Sequence, residues 1–192
     1  MTTRTTPGPR ERLLAAAKDL TYAQGMAVGI DAVLKQAKVA RRSLYEHFGG
    51  KDGLITEVLR VTSAEDEAAY REALEAAGTD PRRRLLAIFD WLGEVIEQPD
   101  FRGCRYLAAE LALADPDHPG HAVTRDYHRR VHELIEHELR ELGHPQPAAA
   151  TEQLVLLING ALAVGANHPA TNPAPGARQL AESIIGGGRR RR

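Results

Sequence analysis

Apolar side chains recur along most of the chain at spacings of three and four residues, the period of an amphipathic α-helix. The first such stripe joins Leu13, Ala17 and Leu20 and predicts a helix over residues 10–23, before Gly25. With Gly and Pro clusters taken as helix ends, further helices are predicted over residues 30–37, 41–48, 51–76, 82–97, 102–114, 120–142, 148–167 and 175–186. Runs of Val, Ile and Thr are few, so the predicted fold is all-α.

The helix predicted over residues 41–48 has two unlike sides. Leu44 and Phe48 lie one turn apart on its apolar side, and Val39 precedes them in a short connection after residues 30–37. The opposite side and its flanks are polar and carry Arg42, Ser43, Tyr45 and Glu46. Two short helices joined by a tight turn, the second with a basic face, predict a helix-turn-helix that binds the major groove of DNA.

The distribution of charge supports a polyanionic partner at one end of the chain. The net charge of the chain is -1. Residues 1–51 nevertheless contain nine Lys or Arg and four Asp or Glu, a net charge of +5, which leaves -6 for the remainder. A basic segment attached to an acidic body predicts DNA binding by the first and solubility from the second.

A longer motif runs through this basic segment. Residues 44–54 read Leu-Tyr-x-His-Phe-x-x-Lys-x-x-Leu, and they follow Gly25, Ile30-Asp31-Ala32-Val33 and Ala37-Lys38-Val39-Ala40. Over about residues 10–59 the sequence resembles the N-terminal domain of TetR-family repressors. The resemblance implies a DNA-binding surface made of Arg41, Arg42, Ser43, Tyr45, His47 and Lys51. Lys51, at the start of the fourth helix, is expected to hold a phosphate together with the helix dipole.

Two residues depart from the family pattern. Lys38 stands in the turn where the family usually has Gly, which leaves the backbone of the turn undetermined but adds a candidate phosphate contact. Gly29 stands where the family usually has a Thr that caps the second helix.

The resemblance also implies a domain division and partners. It predicts a helix-turn-helix domain at residues 1–52, a helical domain for effector binding and dimerisation at residues 53–188, and a basic tail at residues 189–192. The last two long helices are expected to form a homodimer, and Ala161 and Gly165 leave room there for a close helix neighbour. The candidate ligand-binding residues are Phe89, Trp91, Phe101, Cys104, Tyr106, Tyr127 and His128.

The function predicted on these grounds is a repressor that binds a palindromic operator as a homodimer and is released by a small hydrophobic or aromatic effector. No cofactor is expected, and the protein is not expected to be an enzyme. The lone cysteine and the absence of a signal peptide or of about 20 continuous apolar residues indicate a cytoplasmic protein without a membrane span.

Three alternatives stay open at this stage. Cys104 is a candidate nucleophile of an all-helical enzyme, although no catalytic triad accompanies it. An activator or nucleoid protein without an effector would carry the same DNA-binding motif. His128 and His132 share a helix face at the spacing of metal ligands, but no Cys-x-x-Cys or His-Glu-x-x-His motif accompanies them, so no metal is expected.

Overall fold

The computed structural model describes residues 7–168 and 170–187, which form nine α-helices and no strand. The helices are α1 (Pro9–Gln24), α2 (Ile30–Ala37), α3 (Arg41–Phe48), α4 (Lys51–Ala76), α5 (Pro81–Ile96), α6 (Arg105–Ala112), α7 (Gly120–Glu141), α8 (Pro147–Asn167) and α9 (Ala174–Ile185). The all-α prediction is confirmed. The predicted tail at residues 189–192 lies outside the described residues.

The predicted and observed helices differ most at α6, which begins at Arg105 rather than at residue 102. Gly103 has a φ of 92°, a left-handed value that no α-helix contains. A Cβ on Gly103 would lie 3.1 Å from the Cβ of Ala166. The chain therefore needs Gly at this bend, and the helix starts only after it.

The chain forms two compact units. Unit 1 contains the residues up to Ala64 together with Arg105–Arg125, and unit 2 contains Glu65–Cys104 together with the residues from Asp126 onward. Helices α4 and α7 each contribute to both units. The domain division at residue 52 stays a prediction.

The core of unit 1 joins the first four helices. Its buried apolar residues are Leu13, Ala16, Ala17, Leu20, Val28, Val33, Leu34, Ala37, Leu44, Leu54 and Val58. Val39 and Phe48 are partly buried against this cluster. Helices of eight residues, such as α2 and α3, are not stable alone in water, so this shared core holds them in place.

In unit 2, α5, α8 and α9 pack against one another. The face of α8 that carries Leu154, Ile158, Ala161 and Gly165 is buried inside the chain. Gly165 is needed there because a Cβ would lie 2.7 Å from Ile96 Cγ2. Gly165 therefore accommodates α5 of the same chain, and the surface that α8 leaves exposed is a different one.

The α3–α4 junction depends on a close backbone approach at Gly53, in the first turn of α4. A Cβ on Gly53 would lie 1.9 Å from the carbonyl oxygen of Phe48, the last residue of α3. No side chain can occupy that space unless the two helices separate.

We expect Gly53→Ala to lower the free energy of unfolding by about 1–3 kcal/mol, since the added methyl group must push α3 away from α4. Gly176→Ala in α9 is the matched control, because a Cβ there meets nothing within 4 Å. The control should gain about 0.5–1 kcal/mol from better helix propensity. Urea denaturation measures both. A Gly53→Ala protein as stable as the control would contradict the predicted clash.

Candidate nucleic-acid interface

A tight turn at Lys38 and Val39 connects α2 to α3. Lys38 has φ 53° and ψ 48°, the left-handed conformation in which glycine is usual at a helix end. The N–H of Val39 donates to the carbonyl oxygen of Leu34 at 3.2 Å, and that of Lys38 donates to Lys35 at 3.3 Å. The turn therefore keeps the geometry of a glycine turn although lysine occupies it.

Arg12 of α1 stabilises this turn through hydrogen bonds to its backbone. Its Nη1 donates to the carbonyl oxygens of Ala37 at 3.3 Å and of Lys38 at 3.2 Å. A cation at the C-terminal end of a helix also interacts favourably with the helix dipole. In the sequence Arg12 is only one of nine basic residues within residues 1–51, because nothing there reveals its contact with Ala37, 25 residues away.

Helix α3 presents an exposed outer face that consists of Arg41, Arg42, Tyr45, Glu46 and His47. The apolar side is fixed by Leu44, which is 1% exposed. Tyr45 is 58% exposed, an unusual state for so large an aromatic side chain. The predicted arrangement of a buried apolar side and an exposed polar side is therefore present in α3.

Both arginines of the outer face already have acidic partners. Arg41 pairs with Asp31, at the start of α2. Arg42 Nε donates to Glu46 Oε1 at 2.6 Å, within α3. Exposed pairs of this kind contribute little to stability, so neither pair prevents its arginine from contacting a phosphate or a base.

The other predicted DNA-binding residues lie around this face. Ser43 is half-buried and its N–H donates to the carbonyl oxygen of Ala40 at 3.0 Å. The His47 ring stands edge-on to the Phe48 ring, with centroids 6.4 Å apart. Lys38 is exposed and Lys51 half-buried, and neither has an acidic partner in the described part of the chain.

The beginning of α3 offers backbone donors as well. Ala40 occupies the N-cap position and has no side chain that could satisfy the first N–H groups of the helix. Such groups, together with the helix dipole, favour a phosphate oxygen. The lack of a capping side chain at α3 is therefore compatible with a partner that supplies the acceptor.

Two carboxylates of unit 1 are strongly held by neighbouring groups. Hydrogen bonds from Arg60 and from Arg10 lower the pKa of Glu57. The Thr124 hydroxyl and His121 lower the pKa of Glu110, and Glu110 in turn raises the pKa of His121. These acids therefore stay ionised and are paired with other side chains of unit 1.

Unit 2 contains most of the candidate ligand-binding residues. Trp91 packs against Tyr70, with ring centroids 4.7 Å apart. Burial is the main cause that raises the pKa of Tyr70; the charge of Cys104 raises it further, whereas a hydrogen bond with Tyr127 lowers it. The rings of Tyr70, Trp91 and Tyr127 therefore form one aromatic cluster, with Cys104 close to Tyr70. Tyr70 was not predicted, because one tyrosine in a long acidic helix carries no pattern.

The remaining candidates are placed differently. Phe89 is fully buried in α5, and Phe101 is buried and contributes to a cavity of about 630 Å³ between the ends of α5 and α8. His128 is half-buried beside Tyr127, with ring centroids 5.5 Å apart. Tyr106 is buried in unit 1, whereas the other candidates belong to unit 2.

Among the described residues, no group of three or more His, Cys, Asp or Glu side chains is arranged to hold a metal ion. His132 lies 3.0 Å from a Glu152 oxygen instead. Within the same part of the chain, α8 alone has the length and composition of a membrane span. A single helix of this kind is weak evidence of a membrane span; 33% of its apolar window is buried within this chain, where α8 packs against α5 and α9.

The helix α3, its turn and its supporting helices define a helix-turn-helix protein of the DNA-binding class. The family model described as bacterial regulatory proteins, tetR family, matches residues 13–58. A putative TetR transcriptional regulator from Streptomyces avermitilis has a similar structure, with a TM-score of 0.80 and 33% identity over 93% of this chain and 98% of that one. The chain belongs to the TetR family of transcriptional regulators.

Other relatives agree with this assignment. A TetR-family regulator from Streptomyces coelicolor is 30% identical, covers 93% of both chains and has a TM-score of 0.77. The HTH-type transcriptional regulator YjdC of Escherichia coli is 24% identical over 92% of this chain and 93% of its own length. The predictions of transcription regulation, DNA binding and a helix-turn-helix are thus confirmed. Regulators of this family bind DNA and act as dimers.

We expect Lys38→Gly to raise the free energy of unfolding by about 0.5–1 kcal/mol, because glycine adopts the left-handed conformation without the strain of a Cβ. Lys38→Ala is the control, since it removes the same charge and keeps the Cβ. Thermal or urea denaturation compares the two. If Lys38→Gly were less stable than Lys38→Ala, the left-handed turn would be wrong.

Proposed function

We propose that this regulator is a repressor that binds a palindromic operator as a homodimer and leaves it when a small hydrophobic or aromatic effector binds. The observation that carries the DNA-binding part is the outer face of α3, which is exposed, polar and supported by a buried Leu44. Regulation is the role of this chain, and no catalytic function is proposed for Cys104.

The DNA contacts follow from the chemistry of the outer face and its surroundings. Arg41, Arg42 and Tyr45 are proposed to meet base edges and phosphates in the major groove, with Ser43 beside them. Lys38, His47 and Lys51 are proposed to hold the phosphate backbone on either side. The net charge of +5 in residues 1–51 attracts the duplex and makes binding sensitive to salt.

The homodimer is proposed to form through α8 and α9. Their exposed sides carry large apolar residues, Leu156 and Val164 on α8 and Leu180 on α9. Gly160 and Ala163 lie on the same side of α8 and permit close helix packing. A two-fold dimer would place two α3 helices about 34 Å apart, one turn of DNA, so the operator is expected to be palindromic.

Release by an effector is proposed to begin at the aromatic cluster of unit 2. Aromatic and half-buried polar side chains that meet in one place are typical of sites for small apolar ligands. Binding there would change the spacing of the two α3 helices, and a coupling of about 1–3 kcal/mol would suffice to shift DNA binding substantially. The protein is proposed to act in the cytoplasm, where its operator lies.

Arg42→Ala is expected to weaken binding to the cognate duplex roughly ten-fold or more at fixed salt, because a guanidinium that contacts a base edge is lost. The duplex is obtained by selection from a randomised pool, and affinity is measured by fluorescence anisotropy. Arg129→Ala removes an exposed arginine of unit 2 that is also paired within its own helix, with Asp126 and Glu133, and serves as control. Equal affinities for the two variants would refute the proposed role of α3.

Leu156→Glu should convert the protein to the 21.0 kDa monomer, because the two α8 helices of the proposed dimer would bring two negative charges together. Size exclusion with light scattering gives the mass. Leu111→Glu changes another leucine, 80% exposed and located on α6, and should leave the dimer intact. A wild-type monomer, or a Leu156→Glu dimer, would contradict the proposed interface.

Trp91 is the only tryptophan of the chain and therefore reports directly on the aromatic cluster. We expect the hydrophobic probe 1-anilinonaphthalene-8-sulfonate to quench Trp91 emission and to weaken DNA binding at the same concentrations. Tyr70→Ala should change the probe concentration needed for quenching and that needed for weaker DNA binding by the same factor. Quenching at full strength with unchanged DNA affinity would show that this cluster does not control DNA binding.

A further inference from the structure

An acidic side chain stands on the outer face of α3. The Glu46 side chain is 49% exposed and that of Arg42 is 88% exposed, and the two face each other one helical turn apart. A carboxylate on a surface that meets phosphates opposes binding through charge repulsion. Glu46 also occupies the variable position of the Leu-Tyr-x-His-Phe motif, so the motif itself does not require an acid there.

The geometry of the pair leaves the useful edge of the arginine available. Only Nε of Arg42 donates to Glu46, at 2.6 Å. The guanidinium group is planar and carries five N–H donors, so the edge formed by Nη1 and Nη2 remains open to solvent. That edge has the spacing needed to donate to O6 and N7 of guanine, the commonest specific contact of arginine in the major groove.

We propose that Glu46 is a specificity-determining residue, which positions the Arg42 guanidinium so that its Nη1 and Nη2 read one guanine in each half of the operator. The proposal rests on the proposed DNA-binding role of α3. Glu46 limits the rotamers of a long side chain before DNA arrives, so less conformational entropy is lost on binding. It also discourages Arg42 from settling on a phosphate, a contact that carries no sequence information.

The second arginine pair of this surface has a different role. Arg41 pairs with Asp31 of α2, so that contact joins two helices. The Arg42–Glu46 pair lies within one helix and joins nothing else. Exposed pairs of this kind add little stability. If the role of Glu46 were purely structural, replacing it would not change the base preference of the protein.

The test is selection from a randomised duplex pool with the full-length protein. Wild type should enrich guanine at one position of each half-site by roughly ten-fold or more. Glu46→Ala should still bind but should lose most of this preference, to about three-fold or less on the same scale. Glu46→Gln should keep the guanine preference, because the amide oxygen of Gln also accepts a hydrogen bond from Arg42 Nε. Glu133→Ala, which breaks a comparable pair in unit 2, should select as wild type does.

Two further results give the proposal its sharpest check. Arg42→Ala should lose the preference at the same base position, and adding Glu46→Ala to it should cause no further loss. The proposal is overturned if Glu46→Ala keeps the wild-type preference, or if the two variants affect different positions. A wild-type protein that enriches no sequence would instead refute the DNA-binding role of α3 itself.

Discussion

The structure depends on how an eight-residue helix is held still while one side of it stays exposed. Such a helix is not stable in isolation, because its few hydrogen bonds do not offset the conformational entropy lost when it forms. In α3 the required support comes from the burial of Leu44, the close approach at Gly53 and the hydrogen bonds of Arg12 to the turn. Each of these acts on the backbone or on the apolar side, so the outer face remains free for a ligand.

The charges of unit 1 follow the same division. Acids near the supporting helices are paired and held ionised, as Glu57 is by Arg60 and Arg10. The arginines of the outer face, Arg41 and Arg42, are instead paired with Asp31 and Glu46 only through exposed contacts. Contacts of this strength orient side chains without holding them rigidly, which suits a surface whose side chains must adjust when DNA binds.

Local regularities explain what the sequence predicted well. The spacing of apolar residues and the positions of Gly and Pro determine where helices begin and end, so all nine helices within residues 7–168 and 170–187 were expected. Contacts across long stretches of chain leave no such pattern, so the support that Arg12 gives to α3 was not predicted. The close approach at Gly53 was not predicted either, because apolar periodicity does not report how near one helix lies to the next. The exposed side of α8 was also hidden, because this helix is apolar over most of its circumference and its periodicity does not distinguish one side from another.

The central claim is that the outer face of α3 touches the duplex. A photo-reactive phenylalanine analogue placed at Tyr45 tests it directly, with the same analogue at the exposed Leu111 of α6 as reference. Irradiation with the selected duplex should crosslink the protein at position 45, with little or no product at position 111. Equal crosslinking at the two positions, or crosslinking at position 111 alone, would contradict the account of how this protein binds DNA.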